Sequence, residues 1–456
     1  MAQLQAIILA AGKGTRMKSD LVKVMHPLGE RPMLCWPIAA ARAAEAARIV
    51  LVVGHQADTV RQHFSAAPDL AFAEQTEQLG TGHAVAAARD ACTTDGHVMI
   101  LCGDVPLIRP STLRAFFAYH QERNAAVTVM TTHLANPSGY GRVVKREGAH
   151  ITRIVEDKDA TPEERDLTEI NAGIYCVRAD FLFEAVASLK NNNAQGEYYL
   201  TDIIAAAHEA GLTCLAFPIM DSLEVMGVND RVQLAQAASI IRQRVNERLM
   251  REGVTLIDPL TTYIDDGVEI GRDTIIYPNT QISGRTRIGS HCRIESSVAI
   301  SNCTIGDWVT IKVGSVMDEA TIGDEAAIGP MAHLRPGSQL GPHVKIGNFV
   351  ETKKIIMGEG SKASHLTYLG DAEIGSDVNI GCGTITCNYD GVRKHKTVIG
   401  DGVFVGSDVQ LVAPVTVGAN SLIAAGTTVT KDIPPDSLAI ARTPQVNKEG
   451  WNLRKK

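Results

Sequence analysis

A glycine-rich loop near the start of the chain has the residue types of a ligand-binding site. Residues 6–17 read A-I-I-L-A-A-G-K-G-T-R-M, and Lys23 follows a few positions later. Glycine allows backbone N–H groups to approach a ligand closely, and the cations Lys13, Arg16 and Lys23 are suited to phosphate oxygens. Residues 6–10 have the pattern of a buried strand, so the loop should leave the carboxyl edge of a sheet, where open α/β folds bind ligands. We therefore predict a phosphate-binding loop.

The spacing of this loop excludes the two commonest phosphate motifs. A Walker loop needs four residues between its first glycine and Gly-Lys-Ser/Thr, and a dinucleotide fingerprint needs a third glycine where this chain has Met17. An ordinary glycine turn between a strand and a helix is the alternative interpretation.

A second candidate is Asp104, which directly follows the apolar run V-M-I-L-C-G. A carboxylate at the end of a buried strand could bind a hard divalent cation such as Mg²⁺ together with phosphates. The alternative is a turn aspartate with no ligand, since Gly-Asp is also common turn chemistry.

Composition limits the class of protein. The chain has 456 residues, enough for two or three domains, and its 45% hydrophobic and 21% charged residues are typical of soluble globular proteins. A net charge of -7 gives no indication of binding to nucleic acid or to an anionic membrane. No apolar run approaches the ~20 residues of a membrane-spanning helix, and the first apolar segment is too short for a signal peptide. Nine scattered cysteines without a C-x-x-C pair predict a reducing, cytoplasmic location.

The two halves of the chain have different patterns. Short apolar strands alternate with amphipathic segments to about residue 228, which predicts a mostly parallel sheet with helices on both faces. Asn229 or Asp230 can then cap a helix that ends before Gly253. We predict an α/β domain over 1–228, a linker helix over 229–252 and a repeat domain over 253–456.

The repeat is the strongest structural signal in the chain. Beyond Asp258 an aliphatic residue recurs at every sixth position, with occasional slips of one residue, and glycine often follows it. A period this strict indicates short parallel strands stacked into a prism, with the aliphatic residues inside. The period is lost between Thr352 and Asp371, where we expect a surface loop that includes His365. A charged, solvated loop without chemistry is the alternative.

At this point the motifs resemble a known family. L-A-A-G-K-G-T-R-M, E-Q-L-G-T-G-H-A and C-G-D-V-P-L are similar to sugar nucleotidyltransferases, and H-L-T-Y-L-G-D and C-N-Y-D-G stand in the repeat half. Together, in this order and over nearly the whole chain, they resemble the bacterial bifunctional N-acetylglucosamine-1-phosphate uridyltransferases and glucosamine-1-phosphate acetyltransferases. The resemblance implies a Rossmann-like domain, a long helix and a left-handed parallel β-helix. It also implies acetyl transfer from acetyl-CoA, followed by uridylyl transfer from UTP with release of pyrophosphate, to make the cell-wall precursor UDP-N-acetylglucosamine.

The resemblance assigns residues to the uridyltransferase site. It implies that Asp104 and Asn229 bind Mg²⁺ and that Gln75 with Gly80 and Thr81 reads the uracil. The sugar would be bound by Gly141, Glu156 and Asn171. The remaining implied contacts to UTP or UDP-sugar are Leu9, Ala10, Ala11, Gly12, Lys23, Cys102 and Gly103. Because a sugar phosphate is already an anionic nucleophile, we expect positioning and charge neutralisation here rather than a general base.

The acetyltransferase site needs a base, because an ammonium group must lose a proton before its nitrogen attacks a thioester. Histidine titrates in the right range, and the resemblance makes His365 the proton acceptor. It implies that Arg335 and Lys353 bind the sugar phosphate and that Tyr368 and Asn379 fix the sugar. The acetyl-CoA positions would be Cys382, Asn388, Tyr389, Ser407, Ala425 and Arg442. The family commonly has alanine where Cys382 stands, so a side-chain role there is in doubt.

The resemblance further implies a homotrimer, assembled through the β-helix, with the acetyl site between neighbouring prisms. Two alternatives stay open. A single-function ADP-glucose or GDP-mannose pyrophosphorylase would use its repeats only for assembly, and a translation-factor-like regulatory subunit would have the same layout without catalysis. The region around His365 argues against the first, and the presence of Lys23, Asp104 and Asn229 argues against the second.

Overall fold

The computed structural model describes residues 3–451, which form two compact units divided between Ile240 and Ile241. The basic residues at 454–456 lie outside the described part. Among residues 3–451, no helix is long and apolar enough to cross a bilayer. The helices are α1 Cys35–Ala43, α2 Ala57–His63, α3 Thr81–Ala87, α4 Pro110–Glu122, α5 Pro162–Arg165, α6 Ala179–Ser188, α7 Asp202–Glu209 and α8 Arg231–Arg251.

The first unit is built on one nine-stranded sheet. Its central order is β11-β7-β10-β6-β1-β4-β5, in which only β10 runs antiparallel to its neighbours, and the hairpin β8–β9 extends from β10. The strands of this unit are β1 Leu4–Leu9, β2 Pro27–Leu28, β3 Arg31–Pro32, β4 Arg48–Val53, β5 Leu70–Glu74, β6 His97–Cys102, β7 Val127–His133, β8 Arg142–Lys145, β9 Ile151–Val155, β10 Glu169–Arg178 and β11 Cys214–Pro218.

Successive residues of these strands face opposite sides, so the sheet has a hydrophobic core on each face. Ile8 and Leu51 belong to one core, with α1, α2 and α4, whereas Ile7 and Val50 belong to the other, with α3, α6 and α7. The chain passes from β1 to one side of the sheet through β4 and β5, and then returns to the other side with β6. The carboxyl ends of β1 and β6 therefore form the crevice where such sheets bind ligands.

The second unit is a three-sided parallel β-helix. Each short strand pairs with the strand three places later, so one coil contributes one strand to each of three faces. Isoleucines of successive coils are direct register partners and are buried, for example Ile276 with Ile294 and Ile282 with Ile300. The predicted period of six is therefore the length of one face.

We name the faces A, B and C in chain order. Face A contains Thr255–Leu256, Ile275–Ile276, Arg293–Ile294, Thr310–Ile311, Ala327–Ile328, Asn379–Ile380, Phe404–Val405, Leu422–Ile423 and Leu438–Ala439. Face B contains Tyr263–Ile264, Gln281–Ser283, Ala299–Ser301, Val316–Asp318, His333–Leu334, Ile385–Cys387, Gln410–Val412 and Thr428–Val429. Face C contains Glu269–Ile270, Arg287–Ile288, Thr304–Ile305, Thr321–Ile322, Gln339–Leu340, Thr397–Ile399 and Val415–Val417. The long strands Lys345–Met357 and Lys362–Ile374 pass over all three faces.

The expected surface loop between Thr352 and Asp371 was wrong. The two long strands pair in parallel along their length, so this segment continues the coils. Its inward positions are taken by Thr352, Ala363 and Leu369, which are buried but do not repeat isoleucine. The loss of the apolar pattern therefore concealed an unbroken coil.

The real excursion lies later, at residues 388–396. Asn379 pairs with Phe404 across a coil of 25 residues, whereas Phe404 pairs with Leu422 across 18. Asp390 closes the excursion as a tight loop, since its carboxylate accepts hydrogen bonds from the backbone N–H groups of Val392 and Arg393 and contacts His395. These bonds lower the pKa of Asp390 to about 2.

Helix α8 follows Asp230, whose carboxylate accepts a hydrogen bond from the backbone N–H of Gln233 at 2.8 Å. The apolar side chains of this helix are only partly buried. Val245 and Leu249 are buried with Val254 in the core of the second unit, whereas Val232 is 67% exposed.

Candidate active sites

The glycine loop and Lys23 are packed together. Gly14 has a φ of 61°, and a Cβ added there would lie 2.5 Å from the Cβ of Lys23. A side chain at position 14 would therefore be strained and would displace the lysine. This glycine positions a cation as well as turning the chain.

Three predicted residues converge beside this loop. The Nζ atom of Lys23 lies 2.5 Å from Oδ2 of Asp104 and 3.2 Å from Oδ1 of Asn229. Arg16 also donates to Oδ1 of Asn229, at 2.9 Å. The backbone explains the approach, because the N–H of Val228 donates to the carbonyl of Asp104 at 2.8 Å. Contacts between residues 81 to 213 positions apart thus form one charged cluster.

A cavity of about 320 Å³ opens at this cluster. Ten of the residues predicted to bind UTP line it: Leu9, Ala10, Ala11, Gly12, Lys23, Gln75, Gly80, Thr81, Cys102 and Asp104. Gly103 is not among the lining residues, but its N–H donates to the carbonyl of Leu9 and joins the two strand ends. Burial and Asp104 raise the pKa of Cys102 to about 12, so its thiol is neutral.

The predicted uracil residues are part of the lining of this cavity. Gln75 is buried, and its amide donates to the carbonyl of Gly80 at 3.0 Å. A Cβ on Gly80 would lie 2.7 Å from the carbonyl oxygen of Tyr198, and φ is 106°, so the position requires glycine. Thr81 accepts a hydrogen bond from the N–H of Leu200. The segment is thus fixed before any ligand binds.

The predicted sugar residues form a second group outside the lining of this cavity. Asn171 donates its N–H to the carbonyl of Gly141, and a Cβ on Gly141 would lie 3.6 Å from the carboxylate of Glu156. Burial raises the pKa of Glu156, a hydrogen bond from Thr201 opposes the shift, and nearby carboxylates including Glu197 add to it. Glu197 also lines the cavity, which connects the two groups.

The donor set fits Mg²⁺. The oxygens of Asp104 and Asn229 both lie within hydrogen-bond distance of one ammonium group, so they can approach a single cation. Mg²⁺ is usually bound by one or two protein oxygens, with phosphates and water as the other ligands. Within residues 3–451, no group of three or more His, Cys, Asp or Glu side chains is placed to hold a metal ion.

The second candidate site lies along one corner of the β-helix, between faces A and B. Asn348 and His365 are register partners on adjacent coils, and continuing the register places Cys382, Ser407 and Ala425 on the next three. Backbone bonds support this column, since the carbonyl of Cys382 accepts from the N–H of Asp408 at 2.7 Å. Coils repeat every ~4.8 Å, so three of the predicted acetyl-CoA positions, Cys382, Ser407 and Ala425, extend in a line from His365.

His365 is exposed on this corner, and its Nδ1 lies 2.8 Å from Oδ1 of Asn348. Asn379 lies on face A, close to this corner. Arg442 donates to the carbonyl of Ala425 at 2.7 Å and so belongs to the far end of the column. Asn348 was missed in the sequence, because its relation to His365 depends on the length of the coil between them.

The predicted phosphate ligands lie at the next corner, between faces B and C. The pKa of Lys353 is lowered, first by close contact with Lys394 and then by the charge of Arg335, so three cations share one place. Arg335 also forms an ion pair with Glu351 at 2.8 Å. Lys394 comes from the 388–396 excursion. It was missed because a basic residue in a loop carries no sequence signal of its own.

Tyr368 and Asn388 belong to this cationic corner. A Cβ built on Gly370 would lie 2.4 Å from the hydroxyl of Tyr368 and 2.8 Å from Nδ2 of Asn388. Tyr389, beside Asn388, is 60% exposed. Within one chain His365 and Gly370 are five residue steps apart, which in a strand is roughly 16 Å, the width of face B. His365 and the three cations thus lie at different corners.

Comparison with known proteins identifies both units. The nucleotidyl transferase family matches residues 5–222, and the bacterial transferase hexapeptide family, six repeats, matches residues 396–431. The chain is 66% identical to the bifunctional protein GlmU of Geotalea uraniireducens and 67% identical to that of Geotalea daltonii, covering all of each chain. It is 48% identical to the bifunctional protein GlmU of Shouchella clausii over 98% of each chain.

The chain belongs to the GlmU family. The predicted fold class is confirmed, with a nucleotidyltransferase domain followed by a left-handed parallel β-helix of hexapeptide repeats. The predicted function is also confirmed, since GlmU enzymes combine uridyltransferase and acetyltransferase activity in UDP-N-acetylglucosamine synthesis. The single-function pyrophosphorylase and the non-catalytic subunit are therefore excluded.

Proposed function

We propose that the crevice between β1 and β6 carries out uridylyl transfer and that the corner between faces A and B carries out acetyl transfer. The observation that carries the first assignment is the convergence of Lys23, Asp104 and Asn229, since Lys23 and Asp104 line the same cavity as Gly12 of the glycine loop. These groups suit a triphosphate, while Gln75 and Gly80 offer amide and carbonyl groups to the uracil ring. We further propose the boundaries 1–228, 229–252 and 253–456 for the uridyltransferase, linker and acetyltransferase segments.

Asp104 and Asn229 would hold Mg²⁺, which neutralises phosphate charge when bound. Lys23 would neutralise charge at the attacked α-phosphorus of UTP. The anionic oxygen of the sugar phosphate bonds to that phosphorus without a base, the bond from the phosphorus to the β-phosphate oxygen breaks, and pyrophosphate leaves. The half-buried Glu156 and the amide of Asn171 lie together and suit the hydroxyl and acetamido groups of the sugar. Positioning and charge neutralisation are the contributions of this site.

Chelation should separate the two activities. We expect EDTA to abolish pyrophosphate release from UTP and N-acetylglucosamine-1-phosphate, because Asp104 and Asn229 would lose their cation. Thiol release from acetyl-CoA should continue, because the proposed site for the sugar phosphate in that reaction consists of protein cations, Arg335, Lys353 and Lys394. Excess Mg²⁺ is the control and should restore the first activity. Loss of both activities would contradict a metal site restricted to the first domain.

At the second site His365 would accept a proton from the ammonium group of glucosamine-1-phosphate. The amine nitrogen then bonds to the thioester carbon, the carbon–sulfur bond breaks, and the coenzyme A thiolate leaves. The nitrogen gives up a second proton to form the amide, and the thiolate takes up a proton to form the thiol. The column of Cys382, Ser407 and Ala425 supports this role for the corner, since it places these residues in a line along which a long cofactor can extend. The backbone of Cys382 can contact acetyl-CoA regardless of the role of its side chain.

The separation of the two corners supports a homotrimer in which each acetyl site combines His365 of one chain with the cations of a neighbour. A hexapeptide β-helix presents flat faces that can pack side by side, and Phe404, Leu422 and Leu438 form an exposed apolar ladder on face A. The nine cysteines, all free thiols, accord with a cytoplasmic location.

Mixed assemblies test this arrangement. Inactive His365→Ala and Lys353→Ala chains, co-expressed and purified together, should regain about one quarter of the acetyl transfer activity, because random mixing pairs an intact histidine with an intact lysine at that fraction of shared sites. The measurement is thiol release, with light scattering to confirm three chains per particle. Each variant expressed alone is the control. No regained activity in confirmed mixed trimers would show that each site is built from a single chain.

A further inference from the structure

The coil before His365 holds the histidine ring in place. Asn348 is half-buried, and its Oδ1 lies 2.8 Å from Nδ1 of His365. The two residues are direct register partners in paired strands, so the backbone fixes the distance between them. The contact is therefore built into the coil rather than made by chance between mobile side chains.

The chemistry of this contact selects one tautomer. An amide oxygen only accepts hydrogen bonds, so Nδ1 must carry the proton. Nε2 is then left with the lone pair that a general base needs. Because an amide is uncharged, it orients the ring without the charge attraction that a carboxylate would add.

We propose that Asn348 is a positioning residue for acetyl transfer, which fixes the tautomer and orientation of His365. This inference rests on the proposed role of His365 as the base. The nearest charged or titratable residues on the same two strands are Lys345 and Lys362 on face A and Glu351 and Tyr368 on face B. On the following coil the titratable residue of this corner is Cys382.

Two variants test the proposal. Asn348→Leu keeps the size of the side chain but removes the acceptor, and it should lower kcat of acetyl transfer by roughly 10–100-fold with little change in either KM, the usual effect of losing a group that orients a reactive histidine. Asn348→Asp restores the acceptor and should recover most of kcat. The acid limb of its pH–rate profile should move to higher pH, because a carboxylate favours the protonated imidazole.

The controls separate positioning from folding. Gln339→Leu removes an exposed amide from face C and should leave acetyl transfer unchanged, and pyrophosphate release should be unchanged in every variant. A normal kcat for Asn348→Leu would overturn the proposal, as would an Asn348→Asp enzyme as slow as Asn348→Leu with an unshifted profile. If His365→Ala itself were active, the base assignment would be wrong; if it were inactive while Asn348→Leu was fully active, only the positioning role would be wrong.

Discussion

Replacing His365 with alanine is expected to slow acetyl transfer by ~10²–10⁴-fold, the usual effect of removing a general base. At neutral pH the amine of the sugar phosphate is protonated, and within the described corner His365 is the imidazole that stands in line with the acetyl-CoA positions. Pyrophosphate release from UTP should be unaffected, because the cavity at Lys23 and Asp104 shares no residue with this corner. Thiol release measures the first activity and a coupled pyrophosphate assay the second.

The fold should survive this substitution, because His365 is exposed and its backbone bonds remain. His343 offers a matched control, since it is also an exposed histidine of the β-helix but contacts Glu325. Its φ of 57° is better suited to asparagine than to alanine, so the control is His343→Asn, which should have normal activity. A folded His365→Ala enzyme with normal acetyl transfer would refute the role of His365 as the base.

The second large effect is expected at the other site. Asp104→Ala should reduce pyrophosphate release by roughly 10²-fold or more, as found when one preorganised charge-stabilising group is removed. The carboxylate is the closest partner of Lys23, at 2.5 Å, and it is one of the two proposed metal ligands. Its loss would leave the lysine misplaced and the cation weakly held, while acetyl transfer continued.

Asp104→Asn distinguishes charge from shape, because the amide keeps the size of the side chain but binds Mg²⁺ weakly. It should be almost as slow as Asp104→Ala, with partial recovery as Mg²⁺ is raised. Asp58→Ala, at a fully exposed aspartate of the same domain, is the control and should behave as wild type. Full activity of folded Asp104→Ala at low Mg²⁺ would show that the metal lies elsewhere.

The parts of this molecule that follow from local pattern could be predicted from sequence. A buried strand followed by glycine and cations indicates a ligand loop, and isoleucine at every sixth position indicates coils. The proximity of Asp104 to Asn229 depends on a hydrogen bond between distant segments, so no spacing could reveal it. Only resemblance to a family of known proteins brought Asn229 into the predicted site.

The features that the sequence did not predict have a physical reason as well. Apolar periodicity reports the buried side of a coil, so it fails where the interior accepts threonine and alanine, as at Thr352 and Ala363. Lys394 reaches the cationic corner from an excursion whose shape depends on the carboxylate of Asp390. Asn348 meets His365 because one coil is 17 residues long there, and coil length is read from strand pairing rather than from residue type.

The variable length of the coils has a consequence for how this domain can change. Coils of 17, 18 and 25 residues stack in one register, since the additional residues are placed at corners while each face keeps its strand. Lengthening a corner therefore adds a new side chain beside the column of predicted acetyl-CoA residues without shifting any other coil. Loss of a single residue from a face would instead shift the strands of every later coil out of register. The corners are thus the places where substrate preference can be altered by grafting loops, and the faces are the places where it cannot.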